Sequence, residues 1–236
     1  MSYDNYVEWK GWDGENFSRY TAGEALFYHA EFGHVVDKTS NRQPHVIEIG
    51  FGNGSLLGWL RDNGAIATGL EVQDQLKQRA RQTGFAVIDT LAVVPDASVD
   101  MVVALDVFEH IRYPDLRRLC EAIHRVLKPG GHLVARFPNG DSPFSMPFQN
   151  GDATHVLSIG HGVIVGLMHE TGFTVDALRA PAEVPAGLKQ HVTLPIKRAM
   201  RWLFMTYVRL AFLGPATPKT FTFNYMLAAR KRAASS

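Results

Sequence analysis

The chain has 236 residues, with 24 lysines and arginines against 23 aspartates and glutamates, a net charge of +1. Hydrophobic residues make up 46% and charged residues 20%, which excludes a disordered composition and suits one α/β domain with insertions. The single cysteine, Cys120, excludes an internal disulfide and reads as a small buried side chain in a helix.

In chain order, residues 1–43 read as an amino-terminal helical and loop cap. Trp9, Trp12, Phe17 and Tyr20 precede an apolar helical pattern at Ala25, Leu26, Tyr28, His29 and Phe32. The first residues, Met1 to Tyr6, lack the basic and apolar regions of a signal peptide. No stretch reaches the ~18 uncharged apolar residues of a membrane span. The expected location is the cytoplasm, with peripheral contact at the inner face of the membrane as an option.

From residue 44 to 236 strands and helices alternate. Strands are predicted near 45–49, 66–71, 85–89, 99–105, 132–137, 173–180 and 221–230. Helices are predicted near 54–63, 73–82, 114–127 and 159–171. Pro114 suits a helix start, where its missing N–H is not needed, and Gly172 suits a helix end that requires positive φ. The run Val99–Asp106 is apolar on both faces, as a strand covered on both sides must be. Leu127–Gly131 reads as a helix end and a Pro-Gly-Gly turn. Residues 181–220 form a long insertion before the last strand.

The first strand carries the main chemical signal. His45-Val46-Ile47-Glu48-Ile49 runs directly into Gly50-Phe51-Gly52-Asn53-Gly54. Glycines at a strand's carboxyl end let the backbone turn and approach a ligand, and the following helix aims free N–H groups at it. The spacing is Gly-x-Gly-x-Gly, not the dinucleotide fingerprint. Glu48 would repel a pyrophosphate and favour a cation. S-adenosylmethionine carries an ammonium and a sulfonium. Glu71 ends the second strand, where an acid can accept both ribose hydroxyls.

These four strand ends, in this order over about Pro44 to Phe173, resemble the class I S-adenosylmethionine-dependent methyltransferases. The resemblance implies a Rossmann-like α/β fold, a seven-stranded sheet with its last strand antiparallel. It implies S-adenosyl-L-methionine as cofactor, held by Glu48, Gly50, Phe51, Gly52, Asn53, Gly54 and Glu71. Asp89 would accept from the adenine amino group, and Asp106 would face the methionine end and the acceptor. The cap would cover the cofactor.

Methyl transfer needs mainly alignment, and an alcohol acceptor benefits from a base. Two histidines qualify. His110 lies in Asp106-Val107-Phe108-Glu109-His110. His155 lies in Gly151-Asp152-Ala153-Thr154-His155 and is the preferred base, with Asp152 orienting it. Asp141, Asp152 and His155 do not by spacing show a convergent ligand set, so no metal is expected.

Nine of the 24 basic residues and none of the 23 acidic ones follow Glu183. That leaves fifteen basic against 23 acidic residues before it. Within 195–213, Lys197, Arg198, Arg201 and Arg209 share one third of a helical wheel opposite Met, Trp, Leu, Phe, Tyr and Val. This suits either an interfacial helix on anionic lipid or a helix packed on its own domain or a partner. The tail lacks a compact nucleic-acid-binding module, so no nucleic-acid partner is expected. The oligomeric state is open.

The stretch Arg136–Phe144, with Asp152-Ala153-Thr154-His155, Trp9-Lys10-Gly11-Trp12 and Phe17, is similar to bacterial methyltransferases of surface-polysaccharide or O-antigen assembly. That similarity implies a sugar hydroxyl acceptor, on a nucleotide sugar or a glycolipid. A quinone or other small phenol is the alternative acceptor. A cofactor-binding docking protein and a nicotinamide-dependent sugar oxidoreductase are the readings outside methyl transfer.

Overall fold

A computed structural model describes residues 16–36, 43–185 and 187–232. Trp9-Lys10-Gly11-Trp12 lies outside the described residues. Seven strands form one sheet: β1 His45–Ile49, β2 Ile66–Leu70, β3 Ala86–Ile88, β4 Val99–Leu105, β5 Leu127–Pro138, β6 Phe173–Arg179 and β7 Asn224–Lys231. Their order is β3-β2-β1-β4-β5-β7-β6. All neighbours are parallel except β7, which runs antiparallel to both β5 and β6. This is the expected α/β architecture.

The helices are α1 Ala22–Phe32, α2 Ser55–Asp62, α3 Asp74–Gln82, α4 Tyr113–Val126, α5 Met146–Gly151, α6 His161–Glu170 and α7 Leu188–Val208. Strand and helix bounds agree with the sequence expectations to within a few residues, because both faces of the central strands are apolar and the periodicities are unmixed. One boundary differs. The Pro-Gly-Gly stretch lies inside β5, which begins at Leu127, pairs with Val99, slips register, and resumes at His132 opposite Met101. Gly130 takes φ +78° at that slip.

Two layers of core flank the sheet. On one side Ile47, Val102, Ala104, Leu133 and Leu227 pack against Leu116, Cys120, Ile123 of α4 and Ile164, Leu167 of α6. On the other, Val46, Met101, Val103 and Val134 pack against Tyr28 and Phe32 of α1 and Leu56, Trp59, Leu60 of α2. The helix α1 is fixed at its start by a capping box, in which Thr21 and Glu24 bond each other's backbone N–H. Because strand order reverses between β1 and β4, their carboxyl ends leave a crevice, the place where such sheets bind ligands.

The insertion is mostly helix. The segment α7 starts at Leu188, earlier than the basic stretch alone indicated, tolerates Pro195 inside it, and continues as a wider turn over Arg209–Leu213. No side chain of either segment is buried. No helix among the described residues is long and apolar enough to cross a membrane.

Candidate active site

A cavity of about 860 Å³ opens at the carboxyl ends of β1, β2 and β4. Gly50 and Gly52 line it, and Gly54 closes the same turn. Gly50, Gly52 and Gly54 take φ of +69°, +52° and +71°. A Cβ at Gly50 would lie 2.6 Å from Val107 Cγ2, and one at Gly54 would lie 2.8 Å from Phe17 Cζ. Only glycine meets both demands, positive φ and close approach. Phe17 seats edge-on against Phe51, with ring centroids 6.2 Å apart. Asn53 Nδ2 donates to Asn16 O and the Ser18 N–H donates to Asn53 O. Residues 16–18 thus roof the glycine turn.

The cavity carries two acids that face each other. Glu48 is only 4% exposed, and burial, with the neighbouring Glu71 second, holds its carboxyl well above the usual range. Glu48 Oε2 and Asn53 Oδ1 are buried acceptors with no partner among the described residues. Glu71 is held differently. Its Oε1 accepts the N–H groups of Val72 and Gln73 at 2.7 and 3.1 Å, and its Oε2 accepts that of Gly52 at 3.4 Å. Partnerless buried acceptors beside a raised acid suit a ligand that brings positive charge and N–H donors. This acceptor set fits S-adenosylmethionine.

Asp106 sits past β4 at φ +56°, a strained position for a non-glycine residue. Its carboxylate pairs with Arg136 of β5 through Nε at 2.9 Å and through a second, shorter Nη2 contact. Both side chains border the cavity, as does Tyr28 of α1. The sequence reading passed over Arg136 and Tyr28. Arg136 had a visible signal, an ionisable residue inside the apolar run Leu133–Phe137. Tyr28 had none, since its place in the apolar face of α1 reads as core.

The two histidines occupy different depths. His110 borders the cavity, whereas His155 and Asp152 do not. The loop after β5 folds beneath the 108–110 turn because Val156 and Leu157 donate their N–H groups to Glu109 O. His155 then packs edge-on behind His110, with ring centroids 4.7 Å apart, and its Nδ1 lies 3.2 Å from Gln149 O. Of the two candidate bases, His110 is the one that borders the cavity.

Asp152 acts on His110 through a hydroxyl. Thr154 Oγ1 donates to Asp152 Oδ1 at 2.5 Å and lies 2.9 Å from His110 Nδ1. The Thr154 hydroxyl thus bridges the Asp152 carboxylate and His110 Nδ1. Burial opposes ionisation of Asp152, yet the Thr154 bonds hold its pKa below the usual value. Glu109, behind both rings, is pushed up to about 8 by burial first and Asp106 second. Glu109, His110 and His155 present ligand atoms within 4.8 Å of one another. That convergence, invisible in the sequence, is where a divalent ion would fit.

Asp89, expected to accept from the adenine amino group, lies apart from the other candidates. Its carboxylate is two-thirds exposed and bonded to Lys77 Nζ at 2.9 Å, and it does not border the cavity. The reason is that β3 ends at Ile88 and the side chain turns toward α3. Asp141 and Asn139 are likewise structural. Asp141 accepts from the His161 N–H at 2.7 Å and the Tyr225 hydroxyl at 2.9 Å. Asn139 Nδ2 donates to Thr220 O and Thr222 O at 3.1 and 3.2 Å, tying β5 to the approach of β7.

Residues 47–135 match the model of the methyltransferase domain family. That match spans β1 to β5, the part of the sheet that lines the cavity. A ubiquinone biosynthesis O-methyltransferase of Idiomarina loihiensis is 33% identical over 98 residues, 37% of this chain and 40% of that protein. One of Pectobacterium carotovorum is 26% identical over 149 residues, 59% of this chain and 58% of that protein. The chain thus matches less than two thirds of the length of these curated relatives. The crystal structure of a SAM-dependent methyltransferase from Archaeoglobus fulgidus superposes with a TM-score of 0.67 at 18% identity, covering 97% of this chain and all of that one (100%). The chain therefore shares the fold of that structure. Neither relative's description mentions a polysaccharide, so the expected glycan acceptor finds no support in these comparisons.

Proposed function

We propose that the chain is an S-adenosylmethionine-dependent O-methyltransferase whose acceptor is a small phenol or quinol rather than a sugar. The observation that carries the cofactor assignment is the pair of buried, partnerless acceptors, Glu48 Oε2 and Asn53 Oδ1, on the cavity wall. Bound there, S-adenosylmethionine supplies an activated methyl group. Glu48 and Asn53 take its ammonium end, Glu71 takes the ribose hydroxyls, and the Gly50–Gly54 turn gives the close approach. Asp106, locked by Arg136, borders the same space.

His110 takes the acceptor's proton at Nε2. Thr154 and Asp152 orient the ring and stabilise the imidazolium that forms. His155 and Glu109 back the ring and position it. The acceptor class is supported by two things. The relatives are named for ubiquinone biosynthesis. Val107, Ile111 and Leu119 give the cavity an apolar stretch near His110, against which an aromatic ring buries favourably, and the charged Asp106, Asp115 and Arg136 line the same cavity.

The test is methyl transfer by the purified chain to a short-chain catechol or quinol and, in parallel, to nucleotide sugars, with product mass as readout. A methylated phenol, lost in His110→Ala while cofactor binding stays, supports the reading. Methylated sugar with no phenol product would return the acceptor to the glycan class.

A further inference from the structure

We infer that α7 and its neighbours form a docking surface for a bilayer that carries anionic headgroups. Ile196, Met200, Leu203, Tyr207 and Leu210 recur at intervals of four, three, four and three, so they form one stripe along the helix. Each is between 56% and 82% exposed. A stripe of that spacing ordinarily faces a core; here it faces away from one.

The patch extends beyond the helix. Phe204 contacts Phe144 and Phe221, with ring centroids 5.6 and 6.3 Å apart. Phe148 contacts Phe223 at 4.9 Å. Phe144, Met146, Phe148 and Phe223 are themselves half-exposed. Three segments distant in sequence therefore present one apolar surface, larger than chance scatter of exposed side chains leaves.

Charge selects the occupant. No acidic residue follows Glu183, and Glu183 is already engaged by Arg198 and Arg201 at 3.6 and 2.5 Å. Lys197 and Arg209 mark the two edges of the basic third of the wheel, opposite the apolar stripe, and both are exposed. A basic polar face opposite an apolar one is the arrangement of an interfacial helix, whose long cations reach back to headgroup phosphates while the apolar face enters the acyl boundary. A second copy of this chain would bring the same uncompensated cations together and be repelled; an anionic bilayer neutralises them. The helix lies on the surface and does not span, since none among the described residues is long and apolar enough. The inference does not depend on the acceptor's identity, because its test reads binding rather than turnover.

The experiment is co-sedimentation of the full chain with phosphatidylcholine vesicles and with vesicles of phosphatidylcholine and phosphatidylglycerol. Binding is expected only to the anionic vesicles, weakened by added salt. Leu203→Glu with Leu210→Glu is expected to reduce it about tenfold or more, and Lys197→Glu with Arg209→Glu by a comparable factor. Cofactor binding and melting temperature serve as folding controls, since these side chains pack against no core. Wild-type protein left in the supernatant with anionic vesicles would overturn the inference. So would a concentration-dependent dimer, seen by sedimentation velocity and broken by Leu203→Glu, in a chain that ignores both vesicles.

Discussion

Glu48→Gln separates charge from shape at the cofactor site. The glutamine keeps the size and one acceptor oxygen but cannot carry the negative charge. An ammonium about 4 Å from a carboxylate gains roughly 4 kcal/mol at an effective dielectric of about 20. Part of that is spent ionising Glu48, whose pKa burial has already raised; each unit of that rise costs about 1.4 kcal/mol. The net expectation is a loss of about 10- to 100-fold in affinity at neutral pH. The sign of the pH effect follows. In the free site Glu48 is protonated at low pH, and a bound cation favours its ionised form. Binding therefore releases a proton, and affinity rises with pH by up to tenfold per unit until Glu48 ionises unaided. The ligand's own amine titrates equally for both proteins, so the ratio of wild-type to variant affinity isolates Glu48. Titration calorimetry in two buffers of different ionisation enthalpy reads the released proton directly. Equal affinities, or parallel pH slopes for wild type and variant, would refute the placement of the cationic group at Glu48.

His110→Ala is expected to retain cofactor binding and lose about 10²- to 10⁴-fold in turnover. His155→Ala is expected to lose less, since it acts through His110; equal losses at saturating acceptor would argue against that division. Glu109→Gln tests the buried acid. Its folded pKa of about 8 lies above the ordinary 4.5, so the native state loses stability as pH rises between those values. The slope is at most about 1.4 kcal/mol per pH unit. The variant, compared with wild type by urea unfolding, should gain relative stability from pH 5 to 8, and a constant difference would count against it. Gly54→Ala meets Phe17 at 2.8 Å and a positive φ, so a loss of about 1–3 kcal/mol is expected by thermal melting. Asp89→Ala should leave cofactor affinity unchanged in the same calorimetry, because its carboxylate is engaged by Lys77 outside the cavity.

The elements were legible in the sequence because their signals are local. Apolar runs such as Val99–Leu105 fix a strand without reference to any other segment. The glycine turn after Glu48 states both a backbone conformation and an approach distance in five residues. Glu48 in the first strand and Glu71 at the end of the second were legible for the same reason, since a strand's carboxyl end faces the crevice whatever packs behind it. Depth was not legible. Whether His110 or His155 meets the ligand depends on how the loop after β5 folds under the 108–110 turn, and that is decided by Glu109 O accepting two N–H groups from residues 156 and 157. Asp89 shows the same limit, because its direction is set by Lys77 twelve residues before it.

The sequence by itself determined the strand and helix periods, the glycine turn, the acids at the first two strand ends and the one-signed charge of the tail, all properties of residues near one another in the chain. Only the tertiary structure decided which side chains share a cavity, which histidine lies in front, that Arg136 locks Asp106, and that the apolar stripe of α7 points outward. Those outcomes depend on contacts between segments up to more than a hundred residues apart, where burial and hydrogen-bond satisfaction across the whole fold outweigh any local preference.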